Sequence, residues 1–206
     1  MSRSWVARSV LGLVLTLSSA AAAKGKSETD ATFGLAISIA RHDGKPIRDE
    51  AWVRSQIEDA NGLFAPLGVR FRWTLEAALP EKHVELHSRA DRDALAGRIE
   101  EAGSIPVFVV DVLEDVDEPG RMRMGVCWKK RYLIVASHAR ATVLAHELGH
   151  FFGNGHSAVD DNLMSYSRTG GAVFLDANQS AIIRESFARF LSSGLLKDVG
   201  PARMHP

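Results

Sequence analysis

The run HELGHFFGNGH, residues 146–156, constrains this chain more than any other feature. An α-helix advances about 100° and about 1.5 Å per residue, so His146 and His150 lie about 40° apart around the axis and about 6 Å apart along it. Both imidazoles therefore reach one ion. Counted from His146, Leu144 falls near ~160°, Leu148 near ~200° and Phe152 near ~240°, so the apolar stripe faces almost opposite the histidines. The core side of such a helix is already taken, which argues against reading the histidines as ordinary packed residues. Glu147 adjoins the first histidine, close enough to act on a metal-bound water without being a ligand, although alone it reads equally well as a solvated helix residue. Gly153 lacks a Cβ and suits a left-handed turn, and His156, three residues on, is placed by that turn to supply a third nitrogen. Three neutral imidazoles and a water match catalytic zinc with an open position; a structural zinc more often closes its shell with cysteine, and this segment has none.

Hydrophobic periodicity sets this segment in a chain of alternating strands and helices. Residues 33–40 (FGLAISIA) read as a strand, with RHDGKP as the turn after it. Ala51, Trp52, Ile57, Ala60 and Phe64 recur at helical spacing over 49–64, and Val69, Phe71 and Trp73 alternate with Arg70, Arg72 and Thr74 in a half-buried strand over 69–75. A short helix over 91–101, closed by Gly103, precedes IPVFVVDVL (105–113), whose two apolar faces suit a sheet covered by helices. Residues 122–128 and 131–136 read as strands separated by Lys129 and Lys130, in position to pair antiparallel. A helix over 140–152, a loop rich in Gly, Asn and Asp, and a last helix over 178–191 complete the order. No internal repeat or low-complexity linker interrupts it, so residues 24–206 are expected to form a single α/β domain.

Together, HELGHFFGNGH and the string NLMSY at 162–166 resemble the metzincin metallopeptidases: the former matches HExxHxxGxxH, and NLMSY is similar to their Met-turn. The resemblance implies His146, His150 and His156 as zinc ligands, Glu147 as general base, and Met164 as an apolar floor beneath the metal that shapes the site without coordinating. Tyr166 matches the tyrosine that, in astacin-like, serralysin-like and pappalysin-like branches, approaches the zinc and stabilises the tetrahedral intermediate; the branch is left open. Taken singly, Met164 reads as a packed methionine and Tyr166 as a surface aromatic. The implied fold is a mixed twisted sheet with an antiparallel edge strand, here 122–128, an active-site helix, here 140–152, and a C-terminal helix. That edge would offer unpaired backbone groups to an extended peptide.

Charge and composition narrow the partners. The 25 Lys+Arg and 25 Asp+Glu are scattered along 206 residues, which gives no footprint for a nucleic acid, and 46% apolar residues exclude a largely disordered chain. Arg3 and Arg8, an apolar stretch over 10–17 and small residues ending in Ala21 and Ala23 read as a secretory signal peptide over 1–23, short for a membrane anchor. The mature protein is expected to be secreted or periplasmic, without stable membrane insertion, and monomeric. Cys127 is the single cysteine and forms no internal disulfide even in an oxidising compartment. About nine residues separate the expected cleavage site from the first strand, too few for a folded inhibitory prodomain. Cys127, inside a strand, suits a buried thiol better than a zinc-blocking thiolate. Asp160 and Asp161 read as a solvated turn or as calcium ligands, and residues 170–174 are expected to shape the pocket beside the scissile bond.

The expected reaction is hydrolysis of a peptide or protein substrate by a zinc-dependent endopeptidase. Zinc polarises the carbonyl, Glu147 takes a proton from metal-bound water and passes it to the leaving amine, and Tyr166 supports the oxyanion. Two other functions fit the same residues: a metal-stabilised binding or inhibitory protein with little turnover, and a narrow-substrate amide hydrolase acting on cell-wall peptides. Metal retention without cleavage of any peptide would mark the former.

Overall fold

A computed structural model of the chain describes residues 30–98 and 101–200. The expected signal peptide, 1–23, lies outside the described residues. One mixed sheet organises the fold. Its longest strand β1 (Ala31–His42) folds back through a turn at Asp43 and Gly44 onto the short β2 (Lys45–Pro46). Strand β3 (Val69–Leu79) pairs parallel with β1. After the two-residue β4 (Glu85–Leu86), strand β5 (Ile105–Val110) pairs parallel with β1, and β6 (Val112–Leu113) pairs with β4 in a small separate ladder. Strand β7 (Gly125–Trp128) forms the outer edge, antiparallel to β8 (Tyr132–Ala136), which is itself parallel to β5. The expected α/β class, the mixed sheet and the antiparallel edge strand are all present.

Period-two alternation explains how this sheet carries two cores. In β5, Val107 and Val109 face one side with Leu35 and Ile37 of β1, while Phe108 and Val110 face the other. The first side is covered by α1 (Glu50–Phe64), α3 (Val143–Phe151) and α4 (Ala177–Ser192), which contribute Ile57, Phe64, Leu144, Leu148, Ile183 and Phe187. The second side packs on Leu95, Leu86 and Tyr132, beside the short α2 (Arg89–Ala94). Local chemistry fixes the helix starts. Asp49 accepts the Trp52 N–H at 2.9 Å to cap α1, and Asp176 and Gln179 form a reciprocal capping box at α4.

Several expected boundaries are corrected. β3 runs four residues past 75, because its partner β1 continues beside it. The expected strand over 105–113 is two strands in two sheets, parted at Asp111, whose N–H turns to the Val84 carbonyl at 2.7 Å. The helix expected over 91–101 begins at Arg89 behind a Ser88 cap and passes into a 3₁₀ turn at Leu95. The expected edge strand at 122–128 starts at Gly125, with only an isolated bridge from Glu114 to Met122 before it. The antiparallel pairing across Lys129 and Lys130 is present, and both lysines take positive φ in the turn. No helix among the described residues is long and apolar enough to cross a membrane.

Candidate metal centre

Helix α3 begins at Val143 rather than at 140, because Thr142 adopts a left-handed conformation (φ 70°) and supplies no side-chain cap. The cap comes from α1 instead. Gln56, buried, accepts the Leu144 N–H at 3.3 Å and donates to the Arg140 carbonyl at 3.1 Å, tying the helix that carries the histidines to its neighbour. As expected from the helical wheel, Leu144 and Leu148 enter the core. At the other end Gly153 takes φ 106°, its N–H and that of Asn154 close the helix on the His150 and Gly149 carbonyls, and the reversed chain returns with His156.

The three histidines converge, with their ligand nitrogens all within 4.8 Å of one another. His146 Nδ1 lies 2.7 Å from the Leu163 carbonyl and His150 Nδ1 lies 2.8 Å from the Asn154 carbonyl. A carbonyl only accepts, so both Nδ1 atoms carry the proton and both Nε2 atoms present lone pairs. Yet His150 Nε2 sits 3.1 Å from His146 Nε2 and 3.1 Å from His156 Nε2. Two facing lone pairs at that distance repel unless a cation lies between them. Tetrahedral zinc with Zn–N of about 2.0–2.1 Å sets its nitrogens about 3.3 Å apart, so the donor set fits such an ion. Burial, partly offset by the Leu163 carbonyl, pulls His146 down to about 4, and burial lowers His150 and His156 too, which keeps all three neutral and ready to ligate.

Beneath them the 162–166 turn is tightly held. Met164 is fully buried, and a Cβ on Gly149 would overlap its sulfur, so the glycine lets α3 settle onto the methionine. Asn162 accepts the Met164 N–H at 2.9 Å and exchanges two side-chain hydrogen bonds with Gln179 of α4. Arg168 donates to the carbonyls of Asn162, Leu163, Ser165 and Ser167, including the carbonyl that orients His146. The sequence gives no role to Arg168 or Gln56, because the main-chain carbonyls they bind leave no sequence signal, and the partner of Asn162, Gln179, lies 17 positions away on another element. A Gly149→Val substitution is expected to cost about 1–3 kcal/mol by overpacking against Met164, read from urea unfolding, and to weaken zinc binding by displacing the turn that holds His146.

Glu147, also brought to this cluster, is almost wholly buried. Its carboxylate accepts the Cys127 backbone N–H, and a Cβ on Gly125 would lie 2.8 Å from it, so a glycine in β7 lets the edge strand come this close. Burial pushes this carboxyl up to about 8; a dication beside it opposes that shift. The Tyr166 ring is exposed, and its hydroxyl lies within hydrogen-bond distance of His156 Nε2, at 2.7 Å. Burial and the Glu147 charge push the Cys127 thiol up to about 12, which makes it a poor thiolate. Asp161 accepts the Thr169 hydroxyl and the Thr169 and Gly171 N–H groups, so its carboxylate is committed to the loop. The Asn154 side-chain amide is buried with no hydrogen-bond partner among the described residues.

Two cavities meet at Gly125, Glu147 and Tyr166. The larger, of about 420 Å³, extends past Met124 and Val143; the smaller, of about 260 Å³, reaches Cys127 and Asn154. The loop at 170–174, expected to shape the pocket, contributes only Val173 to the larger one, whose walls come chiefly from the stretch before β7 and the approach to α3.

No family model matches the chain, and no curated protein does. Its fold is similar to those of solved metalloproteinases. Mirolysin in complex with compound 9 superposes with a TM-score of 0.58 at 8% identity, covering 83% of this chain and 100% of that one. Mature mirolysin of Tannerella forsythia, solved with a cleaved peptide, gives 0.57 at 9% identity, covering 82% and 99%. Metalloproteinase-II from Bacteroides fragilis gives 0.50 at 16% identity, and the likeness covers 76% of this chain and 53% of that one. The chain thus spans about half the length of the Bacteroides protein, and at these identities the likeness is one of fold.

Proposed function

We propose that this chain is a zinc-dependent endopeptidase in which residues 24–206 act as one catalytic domain after removal of 1–23 as a signal peptide, in the periplasm or outside the cell. The observation that carries the reading is the convergence of three imidazoles, with their ligand nitrogens within 4.8 Å of one another, beside the buried carboxyl of Glu147 at the edge of a sheet. His146, His150 and His156 would hold the ion through Nε2. Bound there, zinc supplies Lewis-acid polarisation of the scissile carbonyl and acidifies a water.

The chain's own residues do the rest. The outer edge of β7 carries backbone groups that no strand pairs, and an extended substrate adds to it as a further strand. Glu147, which lines both cavities beside Gly125, accepts a proton from the attacking water and returns it to the leaving amine. The Tyr166 hydroxyl, held 2.7 Å from His156 Nε2, would donate to the developing oxyanion. The fold neighbours, metalloproteinase-II and mirolysin, the latter solved once with a cleaved peptide, support a peptide substrate.

The test is cleavage of an unbiased peptide library by the zinc-loaded protein before and after chelation. Chelation is expected to stop cleavage, and stoichiometric zinc to restore it. Retained zinc with every peptide intact would overturn the general endopeptidase reading in favour of a metal-stabilised binding protein or a narrow-substrate amide hydrolase.

A further inference from the structure

The cavity of about 420 Å³ beside His146 and Glu147 has four arginines in its walls: Arg121, Arg123, Arg140 and Arg168. Two are neutralised. Arg121 pairs with Glu118 at 2.7 Å, and Arg123 pairs at 2.6 Å with Asp115, a carboxylate buried to 1% exposure. The other two keep their charge. Arg140 is exposed, and its guanidinium has no hydrogen-bond or carboxylate partner among the described residues. Among the described residues the Arg168 hydrogen bonds go to main-chain carbonyls, which fix the group in place without cancelling its charge. Among the described residues Glu147 is the one carboxylate lining this cavity, and a dication held by the histidines would offset its charge. Met124 and Val143 add apolar surface to the same walls.

From this combination we propose that the cavity takes a substrate carboxylate next to the scissile bond, carried on a short aliphatic stem. The inference rests on the peptidase reading of the site and specifies its substrate class. The apolar wall accepts methylenes, the two unneutralised guanidinium groups meet the carboxylate, and a lysine or arginine side chain is repelled. An acidic side chain and the free C-terminus of a peptide present the same chemistry, and the test separates them.

Acetylated, C-terminally amidated peptides that differ only in Glu, Gln or Lys on either side of the cleaved bond are compared with neutral peptides bearing a free or an amidated C-terminus. Glu is expected to exceed Gln in kcat/KM by about tenfold or more, with Lys poorest, as one charged hydrogen bond in a partly desolvated site requires. The preference should shrink as salt rises, and Arg140→Gln, at an exposed position, should bring the Glu and Gln peptides together. A preference for the free terminus alone assigns the carboxylate to the chain end. Equal rates for Glu and Gln together with equal rates for free and amidated ends overturn the inference, even where cleavage itself is brisk. If no peptide is cut, anisotropy of the labelled Glu and Gln peptides on the zinc-loaded Glu147→Gln variant decides. About tenfold tighter binding of the Glu peptide keeps the carboxylate site while the peptidase reading falls, and equal binding removes both.

Discussion

Replacing Glu147 by glutamine is expected to lower kcat/KM for peptide hydrolysis by about 10²–10⁴-fold, the usual share of a positioned general base, with zinc content unchanged. Glutamine is nearly isosteric, and its carbonyl oxygen still accepts the Cys127 N–H that holds the side chain against β7. The imidazoles do not depend on it, since the Nδ1 protons of His146 and His150 go to the Leu163 and Asn154 carbonyls. Only the capacity to take a proton is lost. Stability is not expected to fall either, because burial disfavours the ionised carboxylate and a neutral amide avoids that cost. The measurements are kcat/KM on a cleaved library peptide, zinc stoichiometry and the thermal midpoint, taken together. A variant within tenfold of the parent would place the proton acceptor elsewhere and withdraw Glu147 from the role.

Much of this centre was legible because helical periodicity is a strong signal. His146 and His150 at i and i+4, opposite Leu144 and Leu148, allowed one arrangement on a helix, and the structure adopts it. Gly153 announced the turn that returns His156, and the positive φ is there. Elements were legible where one face is apolar and failed at their ends, where pairing decides. Nothing in IPVFVVDVL reveals that Asp111 hands its N–H to Val84 and splits the strand between two sheets. The early part of 122–128 alternates like a strand, yet only its last four residues find continuous pairing with β8. The supports of the site were hidden for a related reason. Gln56 reaches a helix 88 positions away, and Arg168 binds carbonyls that every residue type possesses.

A Phe152→Ala substitution is expected to cost about 3–5 kcal/mol of folding stability, the range for emptying a phenylalanine site in a packed core. Phe152 is fully buried, and its ring centroid lies 5.9 Å from Phe64, 6.1 Å from Phe33, 6.2 Å from Phe71 and 5.8 Å from Phe190. These rings come from β1, α1, β3 and α4, so one side chain joins most of the layer beneath the sheet. Phe152 also directly precedes Gly153, the glycine turn of the metal motif, which makes this core contact the anchor of the loop that carries His156. Alanine removes the ring but leaves β1, α1 and α4 fixed to one another, so the walls collapse only in part and the cavity term persists. Against a typical total of about 5–15 kcal/mol, a loss of that size unfolds a sizeable fraction of the metal-free protein. Zinc, binding only the native state, should recover part of it as its concentration rises above Kd. Urea unfolding of the metal-free and zinc-loaded variants measures both quantities. A loss below about 1 kcal/mol would mean that the aromatic cluster re-forms around the deletion, and that the third ligand is anchored through Gly153 and the Asn154 carbonyl instead.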